Sequence, residues 1–402
     1  MLHRHALGHL PRKPHTALRE ADGRLLMEQM ITREGFHGPY SILYHRVPPM
    51  EESSVEPLRL PGFAPVEPAA EQPLRRRHIR TQNLPPAGDY LAGRRTLLVS
   101  ASLDVGVAKP VENTRTFFCN GDGDELWFVK SGSGVLESVF GRLPFREHDY
   151  ILVPKGTFYR LNLASPGAVL LWFEGRPEIK IPSAYRNAWG QLMDEAPYSH
   201  RDFGLPTELV AYDAAAHGPP PFAVVMKRGG ALTRHTFEHF PLDIAGWDGA
   251  VYPVTFNIHD YQPKTGLVHL PPTIHTTFAG ARFVICSFVP RIVDYHPQAI
   301  PCPYAHASVD MDEILFYVAG NFTSRRGIDS ESISLHPAGV THGPHPGTYE
   351  KSIGTQRTSE LAVMADCYDP WRLTAEALRL EDPDYHMTWL DPKPAAGGWR
   401  PE

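Results

Sequence analysis

The stretch PYAHASVDMDEILFYVAGNFTSRRGIDSESISLHPAGVTHGPHPG, Pro303 to Gly347, contains two apolar runs, EILFYV and SISLH, separated by glycine turns. Their length and β-branched and aromatic content predict strands. The stretch also offers His306, then Glu313 seven residues on, then His342. A carboxylate at the head of an apolar strand needs a partner to offset its desolvation. Asp310 and Asp312 compete for that role, but Glu313 directly precedes ILFYV and is the best placed. Two neutral imidazoles and one carboxylate suit a divalent ion with open coordination positions, and the spacing admits iron, zinc or manganese.

Working outward, FFCNGDGDELWFVKSGSGVLESVFGRL, 117–143, has the same grammar. Glu125 is followed by Gly132 as Glu313 is by Gly320, seven residues on in each case. Pro154-Lys-Gly156 answers Pro337-Ala-Gly339, and three residues beyond each last glycine stand Tyr159 and His342. The two units share turns and not ligands, so a duplicated β-barrel with one copy lacking its metal set is the simplest account. Alternating apolar residues between glycine turns, here and in DYILVPKGTFYRL, predict antiparallel strands in a sandwich or barrel.

The 40 prolines and 33 glycines among 402 residues fit turn-rich β structure better than helix. The expected fold is all-β, with double-stranded β-helix, bicupin-like barrels and a few short helices. Residues 1–265 are expected to form an N-terminal β domain with the metal-free barrel and extended segments, and 266–402 the barrel carrying the metal. The first 50 residues read as short strands covering that body, 51–75 as a surface loop or linker, and RRRH at Arg75–His78 as a solvated face or subunit contact. The clearest short helix is expected at Pro370–Leu380, with Asp369 as its N-cap. A net charge of -6 gives no reason to expect nucleic acid or anionic membrane as a partner. Four cysteines without C-x-x-C spacing, no signal peptide and no long apolar span point to a reducing cytoplasmic setting.

Several segments, in order along nearly the whole chain, resemble the homogentisate 1,2-dioxygenase family. They are LPRKPHTALR and YHRVPP near the start, the 117–143 stretch, FEHFPLDIAGWDGAVYP, SFVPR, PYAHASVDMDE, SLHPAGVTHGPHPG and YHMTW. The resemblance implies an iron(II) enzyme that cleaves the ring of 2,5-dihydroxyphenylacetate with O2 to give maleylacetoacetate, in tyrosine and phenylalanine breakdown. It implies a homotrimer or homohexamer. It places the Fe(2+) ligands on His306, Glu313 and His342, and a histidine that supports them on His336. Arg291, Tyr304, His336 and His345 are candidates for binding an acidic substituent, arginine being the natural bidentate partner of a carboxylate.

Three features depart from the family's pattern. Its general-base histidine, which follows a tryptophan, falls on Asp248 in GWDG; its substrate-contacting tyrosine, nine residues after the ligand glutamate, falls on Phe322. The interval from first ligand to glutamate is one residue longer. These changes surround the substrate more than the metal, so the first alternative is the same chemistry on another hydroquinone-type or gentisate-like acid. A metal-dependent isomerase and a non-catalytic bicupin are the readings from other classes.

Overall fold

The computed structural model describes residues 3–63, 68–70, 72–270, 272–322 and 327–390. The strands form four sheets, and the helices are short: Ala214–His217, Thr348–Ser352 and Ala375–Leu380. The β-rich expectation holds. None of the four ladders closes on itself among the described residues, so pairing alone does not make a barrel.

Duplication is visible as topology. In the eight-stranded sheet, Asp149–Val153, Asp124–Ser131, Val169–Gly175, Leu103–Ala108 and Arg94–Val99 lie side by side in that order. In the six-stranded sheet the corresponding row is Ser332–His336, Asp312–Ala319, Leu361–Cys367, Phe283–Phe288 and Thr276–Gly280. Numbered by chain order within each copy, both rows read 4-3-5-2-1. The third strand is central in each, and its side chains are covered on both faces, which explains the unbroken apolar runs ELWFV and EILFYV.

Register then matches the two acids. Glu125 lies opposite Val153 on one side and Glu174 on the other. Glu313 lies opposite His336 and Asp366. Between the copies runs one apolar core that includes Val105, Phe128, Phe173, Phe278, Phe283, Ile314 and Val363. Full burial of such side chains stabilises by about 1.5–3 kcal/mol each before the entropy of ordering them is counted. Tyr150 joins the copies directly, its ring 5.6 Å from Phe278 and its hydroxyl 2.9 Å from Ser287 Oγ.

The N-terminal segments form their own four-stranded sheet, in the order His5–Gly8, Ile244–Gly249, His37–His45, Met27–Glu34. Three sequence expectations need correction. Within the segment expected to be a linker, Glu52–Leu58 is a strand paired with Ala231–Phe237 at the edge of the seven-stranded sheet, where Pro57 removes a donor that an edge can spare. RRRH is not a solvated face: Arg77–Arg80 is a strand paired with Ser332–His336, and the buried Arg77 is held by Glu381 at 2.6 Å. The tail helix begins at Ala375 rather than Pro370, because Arg372–Leu373 pairs with Leu98–Val99 and Thr374 caps the helix through Ala377 N–H. Asp369 serves Arg282 and Ser102 instead. No helix among the described residues is long and apolar enough to cross a membrane.

Candidate metal centre

Glu313 enters the interior because it heads a central strand, and the two histidines reach it through a local bridge. His306 and His342 pair antiparallel, each backbone N–H donating to the other's carbonyl at 2.8 Å. That approach needs Gly343, where a Cβ would lie 2.7 Å from Ala305 Cα. The His342 loop is braced from outside: Arg76 donates to Thr341 O at 3.2 Å and stacks over Trp389, and Trp389 Nε1 donates to Gly343 O at 3.2 Å.

One nitrogen of each ring is committed to the backbone. His306 Nδ1 lies 3.0 Å from Tyr304 O and His342 Nδ1 lies 3.1 Å from Val340 O. Donation from Nδ1 leaves both Nε2 lone pairs facing Glu313, the orientation a metal ligand requires. Nε2 of His306 is 3.7 Å from Glu313 Oε2, and Nε2 of His342 is 3.2 Å from Oε1. One donor atom from each of the three residues lies within 4.8 Å of the other two. His336, opposite Glu313 on the next strand, places Nδ1 2.7 Å from Glu313 Oε1 and stacks on His342 with ring centroids 4.1 Å apart.

Electrostatics agree with a cation site. Burial pushes the Glu313 carboxyl up, but the imidazoles of His306, His336 and His342 gathered around it outweigh that and hold the group well below the usual carboxylate range. His342 Nε2 is buried with no hydrogen-bond partner among the described residues. A divalent ion bound between His306, Glu313 and His342 would satisfy that atom and the carboxylate together, so the donor set fits such an ion.

His306 and Glu313 form part of the wall of a cleft of about 510 Å³. Phe283, Val284, Cys286, Met311 and Met364 supply apolar wall, and His269, Thr276, Tyr304 and Asp366 supply polar groups. Of the residues expected around the substrate, Tyr304 lines this cleft. Phe322 instead packs edge-on against Tyr317 at 4.7 Å. His345 places Nε2 2.7 Å from Thr388 Oγ1 and stacks on Trp389. Arg291 joins Thr358 through the backbone and is not among the cleft-lining residues; burial lowers its guanidinium from the ordinary arginine value. Asp248 sits in the four-stranded sheet, paired with Arg4 at 2.6 and 2.9 Å, and does not line the cleft.

Sequence reasoning missed Asp366, although LAVMADC carries the same signal that singled out Glu313, an acid within an apolar strand. Burial and then the Glu313 carboxylate push Asp366 up to about 8, with His306 pulling the other way.

The other copy balances its glutamate differently. Arg94 Nη1 lies 2.5 Å from Glu125 Oε1, and Tyr159 donates to Glu125 Oε2 at 2.5 Å. The guanidinium stacks over Trp127 at 4.5 Å and Phe118 at 5.0 Å. A fixed side-chain cation thus neutralises the carboxylate, and Tyr159 takes the place of the histidine. Arg94 was also missed, since nothing in RRTLLV distinguishes an inward arginine from an outward one.

The sequence model of the homogentisate 1,2-dioxygenase N-terminal region matches residues 98–258 and that of the C-terminal region residues 251–394. A protein of Saccharolobus solfataricus provisionally named a dioxygenase is 36% identical over 97% of this chain and 99% of its own length. The homogentisate 1,2-dioxygenases of Bradyrhizobium diazoefficiens and Arabidopsis thaliana are 24% and 26% identical over 68% of this chain. The chain spans 62% and 61% of the length of those two enzymes. Among solved structures, a cupin 2 conserved barrel domain protein from Leptotrichia buccalis shows a TM-score of 0.32 at 8% identity, covering 76% of this chain and 99% of the other. Protein Ylba from E. coli shows 0.33 at 12%, covering 74% and 91%; both scores fall short of those of a shared fold. With both regional models matched in sequence order and a full-length relative at that identity, the chain belongs to the homogentisate 1,2-dioxygenase family.

Proposed function

We propose that this chain is an iron(II)-dependent dioxygenase that opens the ring of a hydroquinone-type aromatic with O2. Homogentisate, giving maleylacetoacetate, is the first substrate to try. The observation that carries the reading is the His306–Glu313–His342 cluster, of which His306 and Glu313 line a largely apolar cleft. These three residues would hold iron(II), which supplies the binding of O2 and of the substrate oxygen when present. The rest is work for the protein. His336 fixes the Glu313 carboxylate, Tyr304 and His269 form the polar side of the wall, and Met311, Met364 and Val284 keep water from the ring.

A second reading, the same chemistry on another hydroquinone or a gentisate-like acid, draws support from Phe322 and Asp248. Phe322 offers no hydroxyl to a substrate, and Asp248 would have to leave Arg4 to accept a ring proton. The fold proposed with this function is a pair of cupin-like units, 1–265 and 266–402, with the strand Arg77–Arg80 lent to the second and Arg372–Leu373 to the first. The assembly proposed with it is a trimer or a pair of trimers, to be sized by sedimentation.

The test is anaerobic loading with iron(II), followed by oxygen uptake with homogentisate, gentisate and unsubstituted hydroquinones. Uptake with one of them, stoichiometric with ring-opened product, supports the reading. Protein carrying one iron per chain that consumes no oxygen with any of them rules it out.

A further inference from the structure

Glu174 and Asp366 occupy one position in the two copies. Each lies directly across from the strand-heading glutamate, on the fifth strand of its row: Glu174 opposite Glu125 and Asp366 opposite Glu313. Their surroundings differ. Glu174 is neutralised within the protein: Lys227 Nζ lies 2.5 and 2.6 Å from its two oxygens, and Asn120 donates at 2.9 Å. Asp366 has no hydrogen-bond or ion-pair partner for its carboxyl group among the described residues, although it is recessed in the wall of the cleft beside Glu313 and His306. A polar group in a mostly apolar wall is costly unless something bonds to it. In the copy without a metal set the protein supplies that partner. In the copy with one, the position is left facing the cleft.

From this contrast, which rests on the ring-cleavage reading for the identity of the ligand, we propose that Asp366 is the residue that binds a hydroxyl group of the aromatic substrate and so orients the ring against the metal-bearing wall. The assignment does not depend on its charge. An ionised carboxylate accepts a hydrogen bond from a ring hydroxyl, and a carboxylic acid both accepts and donates. It takes over a contact that neither Phe322, packed on Tyr317, nor Asp248, held by Arg4, makes with the cleft. Asp366 is thus a substrate-positioning residue and not a fourth metal ligand, in keeping with a donor cluster made of His306, Glu313 and His342.

The test uses binding as well as turnover. Iron(II)-loaded full-length protein is titrated without oxygen by calorimetry, with hydroquinone and with 4-methoxyphenol, in which one hydroxyl is capped as a methyl ether. Wild type should prefer hydroquinone by about tenfold, as expected for a hydroxyl bonded to a recessed acid. Asp366→Leu, or Asp366→Val should the leucine variant not fold, should reduce the preference to less than about twofold with iron content unchanged. Asp366→Asn, which keeps an acceptor, should retain part of it. A preference that survives in the apolar variants overturns the inference, as does loss of iron from them or failure of hydroquinone to bind wild type. If binding behaves as expected and no oxygen is consumed, Asp366 keeps its role and the ring-cleavage reading falls.

Discussion

His336 shows how much one residue beside the candidate ligand cluster can decide. Its Nδ1 bonds the same Glu313 oxygen that faces His342, so it sets the carboxylate's orientation without occupying a ligand position. Glu313→Ala should therefore empty the site, with iron content after anaerobic loading falling below about a tenth of wild type, because two imidazoles alone hold a divalent ion weakly. Iron content near wild type in that variant would mean that the carboxylate ligand lies elsewhere. His336→Ala should be milder, leaving all three ligands but weakening metal affinity about 10–100-fold, as loss of a ligand's hydrogen-bond partner does. Competition against a chromophoric chelator measures it. His306, Glu313 and His342 were all legible in the sequence, because unusual residue types stood at strand starts and beside glycine turns. Asp366 carried the same kind of signal, but no spacing linked it to the others. It meets Glu313 only through strand register.

The comparable elements are the two central strands, Asp124–Ser131 and Asp312–Ala319, whose sequences differ little in pattern and whose sites differ entirely in chemistry. Arg94 makes the difference in the first copy, buried at 2% exposure beside Glu125 at 1%. Replacing it with an uncharged residue strands that carboxylate. Arg94→Met is expected to destabilise the protein by about 3–5 kcal/mol, the usual consequence of breaking a buried ion pair from one side. Urea unfolding would show this as a lower midpoint. Iron binding at Glu313 should be unchanged in the folded variant, since Arg94 belongs to the other sheet. At this scale the sequence marked the duplication through its glycines and prolines. Which cation balanced Glu125 could not be read, because Arg94 reaches it across two intervening strands of the sheet and from a part of the chain with no distinguishing period.

For the whole molecule, burial ties folding to a group that must stay neutral. His275 is 2% exposed and lies against Phe288 with ring centroids 4.5 Å apart. Burial, then Arg291 and His269, push its imidazole down from 6.5 to about 3. The unfolded chain therefore takes up a proton below about 6.5 that the folded chain refuses, so this residue lowers stability as pH falls from that value toward about 3 and has no such effect above it. Thermal unfolding of the metal-free protein should show a falling Tm across that interval. His275→Phe, which keeps a ring for the stack and removes the titrating group, should flatten the fall; an unchanged profile would assign the acid sensitivity to other groups.

By itself the sequence determined the β class, the existence of two related units and the three residue types gathered in one of them. Those follow from period-two apolar runs, repeated turns and polar residues placed where burial would penalise them. Tertiary structure alone decided that Glu52–Leu58 and Arg77–Arg80 are strands, that Asp248 answers to Arg4, that Arg94 fills the first copy's site, and that Asp366 faces the second copy's cleft. Each of these depends on which strands become neighbours and in what register. A local pattern of alternation fixes only which residues share a face, while the partner across the sheet is chosen by packing of the whole core.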